Sequence, residues 1–344
     1  MGHQIDHSVP DSPQQALREI GFWLERSRAD TYRVKAYRRA ADALDALQPD
    51  EREALAQADA WGQVPGLGPR TVQVIRESLA GTVPQTLAGL RQAGAPPLAS
   101  SELRTLVRGD LHSHTTWSDG GSPLPEMVAT AESLGHDYLA VTDHSPRLTV
   151  AHGLDAERLA AQWREIDELQ PQVGIRVLKG IEVDILDDGS LDQSEQMLSV
   201  LDVVVASVHS KLRGDREFMT TRMVGAVANR HTTVLGHCTG RLVEGGRGTR
   251  PPSDFDAEVV FEACRQFGVA VEINSRPERQ DPPDELLALA RDIGCLFSID
   301  TDAHAPGQLD FLSLGCARAE AAGIAPERII TTWPVDELLD FASR

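Results

Sequence analysis

Six of the chain's eleven histidines fall in short phrases of similar make: Asp110-Leu111-His112-Ser113-His114, Thr142-Asp143-His144, Ser207-Val208-His209, Gly236-His237 and Asp302-Ala303-His304. Three carboxylates belong with them: Asp119 shortly after His114, Glu182 in Gly180-Ile181-Glu182, and Asp302 itself. His112 and His114 are two apart, so on an extended chain both side chains point the same way and can hold one ion between them. A lone His-x-His, or a histidine after a strand, is commonly a cap or a satisfied polar group. Nine such residues repeated in one pattern point instead to a metal centre. Imidazole and carboxylate without thiolate suit Zn, Mn or Fe, and nine ligands suit two or three divalent ions rather than one. The four cysteines, Cys238, Cys264, Cys295 and Cys316, form no CxxC pair and read as reduced, buried thiols.

These residues need a scaffold that brings distant segments to one place. Apolar or β-branched runs at 106–111, 138–141, 177–183, 203–208, 233–235, 269–273 and 296–299 alternate with helical stretches near 124–135, 155–170, 191–199, 215–230, 254–267 and 284–293. Strand–helix alternation predicts parallel strands with crossover helices, and about seven of them predict a TIM-like barrel. The candidate ligands fall at or just past strand C-termini, which in such a barrel converge on one rim. No glycine-rich dinucleotide or P-loop fingerprint follows any strand.

With 344 residues the chain has room for a second domain. No apolar run reaches the roughly 18 residues of a membrane span, and Met1 to Pro13 lack the apolar core of a signal peptide. A cytoplasmic protein without membrane partners is therefore expected. The net charge of −19 is uneven: residues 1–100 hold 11 basic and 12 acidic side chains, leaving −18 on the rest. A body that acidic does not bind nucleic acid through its general surface.

The amino-terminal part reads as a loose terminus over 1–14, a helical domain over 15–91 and a linker over 92–103, with the barrel over 104–344. From Pro13 to about Leu47 the sequence is helical, and Lys35, Arg38 and Arg39 at i, i+3 and i+4 share a face. Val64-Pro65-Gly66-Leu67-Gly68-Pro69-Arg70-Thr71 then opens a second apolar helix. A glycine-flanked turn at a helix start offers backbone N–H groups to a phosphate oxygen. Lys35, Arg38, Arg39, Gly66, Gly68 and Arg70 are the candidate DNA-backbone contacts, with plain turn chemistry and a solvated face as the alternative reading.

The motifs DLHSH, TDH, GIEVD, SVHS, GHCTGRL, EIN and DTDAH, in this order, resemble a PHP (polymerase and histidinol phosphatase) domain over about residues 104–344. The resemblance implies a distorted seven-stranded (β/α)7 TIM-like barrel with a trinuclear metal centre that hydrolyses phosphoesters. It implies His112, His114, Glu182 and Asp302 on one ion, with Glu182 bridging to a second held by His209 and His237. Asp119, His144 and His304 would hold the third. Hydroxide generated at the group of Glu182, His112, His114 and Asp302 would be the nucleophile. GHCTGRL, VEINSRPER and WPVDELL are similar to the PHP domains of bacterial family X DNA polymerases in particular. TYRVKAYRRAADAL followed by VPGLGPRTVQVI resembles their small all-α helix-hairpin-helix domain. The short linker leaves no room for a polymerase palm. The helix TVQVIRESL lacks the lysine that related domains use for Schiff-base chemistry.

Around the rim, Arg241, Arg276, Arg279 and Lys211 are candidate phosphate clamps. Asp110 and Asp143, beside ligands, are candidates to orient imidazoles. Asp187 to Asp192 reads as a turn. The expected function is a phosphoesterase on DNA ends or damaged DNA: a 3′ exonuclease, 3′-phosphatase or abasic-site nuclease. Two rivals stay open: a small-molecule phosphomonoesterase of the histidinol-phosphatase type, and a non-catalytic DNA-binding protein.

Overall fold

The computed structural model describes residues 7–246 and 248–343. The chain divides between Leu98 and Ala99 into two compact units. Within the first unit, α1 (Pro13–Arg26), α2 (Thr31–Asp45), α3 (Pro49–Gln57), α4 (Pro69–Leu79) and α5 (Gln85–Gly94) enclose one core. Leu17, Ile20 and Leu24 of α1 pack with Tyr37, Ala41 and Leu44 of α2, Ile75 of α4 and Leu87 of α5. The expected helix over 13–47 is two helices. Arg28 takes a left-handed φ of 58°, and the Asp30 carboxylate caps α2 by accepting from Tyr32 N at 2.9 Å. Of the expected loose terminus, residues 1–6 lie outside the described residues. The Ser8 carbonyl is tied down by Arg91 Nη1 at 2.7 Å.

Arg38 corrects the sequence reading. Its guanidinium is buried, donating to both oxygens of Glu25 at 2.9 and 2.7 Å. Gly21 makes the room: a Cβ there would lie 2.8 Å from Arg38 Nε. Arg38 therefore joins α1 to α2 rather than facing solvent, while Lys35 and Arg39 are exposed.

In the second unit seven parallel strands run in sequence order: β1 (Gly109–Asp110), β2 (Tyr138–Val141), β3 (Arg176–Asp184), β4 (Val203–Ser207), β5 (Val234–Leu235), β6 (Ala270–Asn274) and β7 (Phe297–Asp300). Their crossovers carry α6 (Leu124–Ser133), α7 (Ala156–Leu169), α8 (Glu195–Leu198), α9 (Arg216–Val227), α10 (Ala257–Phe267) and α11 (Asp284–Ile293). Two helices follow β7: α12 (Leu312–Ala321) and α13 (Val335–Ala342). This is the expected distorted TIM-like barrel. Alternation sends Ala140, Leu178, Val203, Val205 and Ala270 into one interior cluster, which also takes Leu338 and Phe341 of α13. The same parity carried toward the strand C-termini reaches Thr142 and His144, Glu182 and Asp184, and Glu272 and Asn274.

Among the described residues no ladder joins β1 to β7; just past their ends a single parallel bridge pairs Ser113 with Ala303, and the rest of the seam is closed largely by side chains. Asp300 Oδ1 accepts from Leu111 N at 2.8 Å, and Asp110 Oδ1 accepts from Thr301 N at 3.2 Å. The Thr301 hydroxyl also donates to Asp110, and one backbone bond runs from His114 N to the Ala303 carbonyl. Burial pushes the Asp110 carboxyl up to about 6 and the Asp300 carboxyl well above its usual range. Among the described residues no helix is long and apolar enough to cross a membrane.

Two predictions follow from packing. Arg38→Ala, which strips Glu25 of a buried bidentate partner, is expected to destabilise the first unit by about 3 kcal/mol in urea. A loss below 1 kcal/mol would mean the pair is solvated. Burial, with the Arg104 charge adding to it, lowers His136 to about 3. The unfolded chain thus binds more protons than the folded chain between that value and 6.5, and stability is lost as pH falls through this window. By pH 5 the loss reaches about 2 kcal/mol. His136→Leu removes that slope in urea titrations at pH 7 and pH 5, and an unchanged slope refutes the assignment.

Candidate metal centre

Glu182, on the inward parity of β3 and 1% exposed, is the middle of the site. Its Oε1 lies 3.1 Å from His209 Nε2 and 2.9 Å from His237 Nε2. Its Oε2 lies 2.9 Å from His144 Nδ1, 3.3 Å from His112 Nε2 and 3.5 Å from His114 Nε2. Asp302 Oδ1 sits 3.4 Å from His114 Nε2 and 3.9 Å from His112 Nε2. Asp119 Oδ1 sits 3.4 Å from both His144 Nε2 and His304 Nε2. All nine candidate ligands are thus brought together at one end of the barrel.

The donor chemistry of this cluster fits cations. Both Glu182 oxygens, His112 Nε2, His144 Nδ1, His209 Nε2 and both nitrogens of His114 and His237 are buried without a hydrogen-bond partner. Such a concentration of facing lone pairs is costly unless a positive ion sits among them. Among the described residues three sets have ligand atoms within 4.8 Å of one another: His112, His114 and Glu182; His144, Glu182 and His209; and His114, Asp119, His144 and His304. His114 and His144 each reach two of these sets, a sharing that the expected partition lacked.

Electrostatics keep the two buried carboxylates, His114 and His237 in the binding form, while Glu182 and its neighbouring carboxylates outweigh burial and raise His112, His144 and His209. Burial opposes ionisation of Glu182, yet the His209, His112 and His144 rings hold it well below the usual carboxylate range. Burial likewise opposes ionisation of Asp302, and the Arg279 and Arg276 guanidinium groups overcome it. His114 is driven well down by burial and by His304 and His144, so its ring is neutral and its lone pair available.

Other candidates stand differently. Asp110 accepts from the backbone of His112 and Thr301, and Asp143 from Thr115, Ser118 and Gln162. Neither orients an imidazole; they shape the seam and the β1 loop. The imidazoles are held by two carboxylates the sequence reading passed over. Glu272 Oε1 is 2.6 Å from His112 Nδ1, and Asp184 bonds His209 Nδ1. Their signal was parity, since each points inward on a strand that also bears or adjoins a ligand.

Arg279 Nε donates to Asp302 Oδ2 at 2.9 Å, and Arg276 Nη1 reaches the Asp302 carbonyl at 3.2 Å. Both stand beside the cluster. Arg241 does not stand free as a clamp, because its guanidinium donates to the carbonyls of Arg279 and Gln280 and ties loops together. Lys211 is paired with Asp187 at 2.5 Å, and Gly189 at φ 82° makes the expected turn. Arg222 of α9, also unforeseen, is buried and donates to the Ser210 carbonyl at 2.9 Å and to that of Ile185. It pins the chain just beyond His209 and Asp184.

Residues 110–276 match the PHP domain family. The barrel unit carries a PHP domain. Residues 12–82 match the helix-hairpin-helix domain family, so a helix-hairpin-helix domain precedes it. The chain is 36% identical over 239 residues to DNA polymerase/3′-5′ exonuclease PolX of Bacillus subtilis, covering 69% of this chain and 41% of that protein. It thus spans about two fifths of PolX. It is 29% identical over 245 residues to "probable phosphatase YcdX" of Escherichia coli K12, covering 67% of this chain and 92% of that one. Histidinol phosphate phosphatase from Lactococcus lactis, solved with zinc, L-histidinol and phosphate, superposes with a TM-score of 0.48 at 19% identity, covering 64% of this chain and 95% of that one.

The PHP barrel is expected to be stabilised by the ions its ligands fit. Chelator-stripped protein should gain about 2.7 kcal/mol when Zn²⁺ or Mn²⁺ is added at a hundredfold its Kd. In differential scanning calorimetry that is a rise of several degrees in Tm. A Tm indifferent to Zn²⁺, Mn²⁺ and Fe²⁺ alike would count against a cation site.

Proposed function

We propose that the PHP domain is a divalent-metal phosphoesterase acting on DNA ends or damaged DNA, positioned by the helix-hairpin-helix domain. The observation that carries the reading is the buried Glu182 carboxylate, both oxygens turned to imidazole nitrogens and neither accepting a hydrogen bond. His112, His114, Glu182 and Asp302 would hold one ion, His209 and His237 with Glu182 a second, and Asp119, His144 and His304 a third. Ions bound there supply Lewis acidity toward a phosphoryl oxygen and lower the pKa of water. The chain's own residues do the rest. Arg276 and Arg279 keep Asp302 ionised and place positive charge beside the cluster. His114 stays neutral, with its lone pair available. No serine or cysteine nucleophile is required, in keeping with thiols that are all buried.

The DNA part of the reading is supported by the hairpin. Gly66 takes φ 90°, and nothing lies within 4 Å of a Cβ built at Gly66 or Gly68, so the turn is open to close approach. Arg70, Lys35 and Arg39 are exposed. PolX, whose name includes a 3′-5′ exonuclease, supports the same substrate class. The −18 on residues 101–344 favours a second reading, a phosphomonoesterase for a small metabolite.

Hydrolysis by metal-replete protein at low salt, compared on a 3′-labelled gapped duplex, single-stranded DNA and histidinol phosphate, separates these. DNA processing is expected, falling at least a hundredfold in His112→Ala and severalfold in Lys35→Ala/Arg39→Ala/Arg70→Ala. Turnover of histidinol phosphate alone would establish the second reading. Cleavage of DNA unaffected by the triple substitution would remove the positioning role.

A further inference from the structure

Two buried carboxylates outside the nine candidate ligands face ring nitrogens of those ligands. Glu272 is fully buried, and both its oxygens are engaged. Oε1 meets His112 Nδ1 at 2.6 Å, while Oε2 accepts from His237 N at 2.5 Å and from Asn274 Nδ2 at 3.2 Å. Asn274 Nδ2 also reaches Asp302 Oδ2 at 3.3 Å. One carboxylate thus touches the ring of one ligand, the backbone of a second and, through Asn274, a third. Asp184 is 4% exposed and bonds His209 Nδ1. Its own N–H donates to the Ser145 hydroxyl at 2.9 Å, beside His144.

A neutral imidazole carries its proton on one nitrogen only. A carboxylate at Nδ1 fixes the proton there and leaves the Nε2 lone pair for an ion. His112 and His209 both present Nε2 to Glu182, at 3.3 and 3.1 Å. The outer set differs. His304 Nδ1 has no carboxylate of its own from outside the ligand set: it faces the Asp302 carbonyl at 2.9 Å and the Arg276 guanidinium at 3.1 Å, with the Asp302 carboxylate at 3.5 Å. His144 has no carboxylate from outside the ligand set behind it, since its two nitrogens face the candidate ligands Glu182 and Asp119. The Asp119 side chain is 36% exposed.

We infer that Glu272 and Asp184 are positioning residues that lock His112 and His209 in the ligating tautomer. They divide the centre into a tightly held inner part around Glu182 and a labile outer position at Asp119, His144 and His304. The inference rests on the divalent-ion reading of the centre. The inner ions belong to the resting protein, whereas the outer one exchanges with solvent and completes the centre from the bulk.

The test is metal binding by the full chain, without substrate. Chelator competition with Zn²⁺, followed by metal counting after dialysis, is expected to show wild type losing its outer equivalent first. Asp119→Asn should weaken only that equivalent. Asp184→Asn keeps an acceptor for His209 but loses the charge, so the inner affinity falls roughly tenfold. Asp184→Ala loses both, and the fall approaches a hundredfold. Glu272→Gln acts on the inner equivalents in the same direction, and the melting temperatures of the stripped variants separate misfolding from weak binding. The ¹⁵N spectrum of the metal-stripped protein, at a pH where its imidazoles are neutral, gives an independent readout: Nδ1–H at His209 in wild type and in Asp184→Asn, mixed tautomers in Asp184→Ala. Inner affinity unmoved by the Asp184 and Glu272 substitutions, with the His209 tautomer unmoved in Asp184→Ala, would overturn the inference while leaving the metal centre intact. Wild type that binds no divalent ion would overturn the centre itself.

Discussion

A carboxylate buried to 1% exposure, with five imidazoles around its two oxygens, is the constraint on which the barrel's upper half turns. Glu182 is ionised at a depth where burial alone would protonate it. That state persists only if every strand that supplies a facing imidazole ends at the same height. The parallel registers provide this: Val141 pairs with Lys179 and Glu182 with Val205, and Asp300 lies beside Asn274. A slip of one residue in any of these strands would turn its inward side chains outward. The apolar plug beneath, closed from the opposite end by Leu338 and Phe341, keeps water from reaching the cluster from below.

The seam between β1 and β7 is the least regular part of the barrel and carries the most ligands: His112 and His114 follow β1, and Asp302 and His304 follow β7. A ladder there would fix both strands as sheet through positions 110–114 and 300–304. Exchange of carboxylates replaces it, with Asp300 serving the backbone of β1 and Asp110 that of β7. This frees the chain to turn: Asp302 adopts a left-handed φ of 52°, uncommon outside glycine. Asp110 therefore shapes the path of the ligand segments instead of holding a ring, and its neighbourhood to His112 in sequence reflects that service.

Much of this was legible from sequence because two signals agree. Each ligand phrase closes an apolar run, and the helical stretches between runs are long enough to return the chain. The strands at 138–141 and 203–207 accordingly lie where apolar runs place them. Roles that depend on a neighbouring strand were not legible. Glu272 reads as part of an apolar strand until its register beside β5 sets it against His237 and His112. Arg38 shows the limit on a helix. At 100° per residue, Lys35 and Arg39 lie about 40° apart, opposite the stripe of Tyr37, Ala41 and Leu44, while Arg38 falls at that stripe's edge. Basic spacing alone grouped the three, and only the gap at Gly21 reveals which one turns inward.

The charge distribution narrows what can reach the centre. Residues 101–344 hold −18, yet Arg276 and Arg279 stand beside the cluster. An internal stretch of duplex laid over the rim would press many phosphates against an acidic surface, and each unneutralised contact forfeits the counterion release that drives such binding. A single terminal phosphate pays that penalty once, at the only place where positive ions would meet it. The helix-hairpin-helix domain, near neutral and with an open glycine turn, is the part suited to the remaining backbone. Within the proposed reading, the division of charge between the two units therefore selects ends and nicks over continuous duplex.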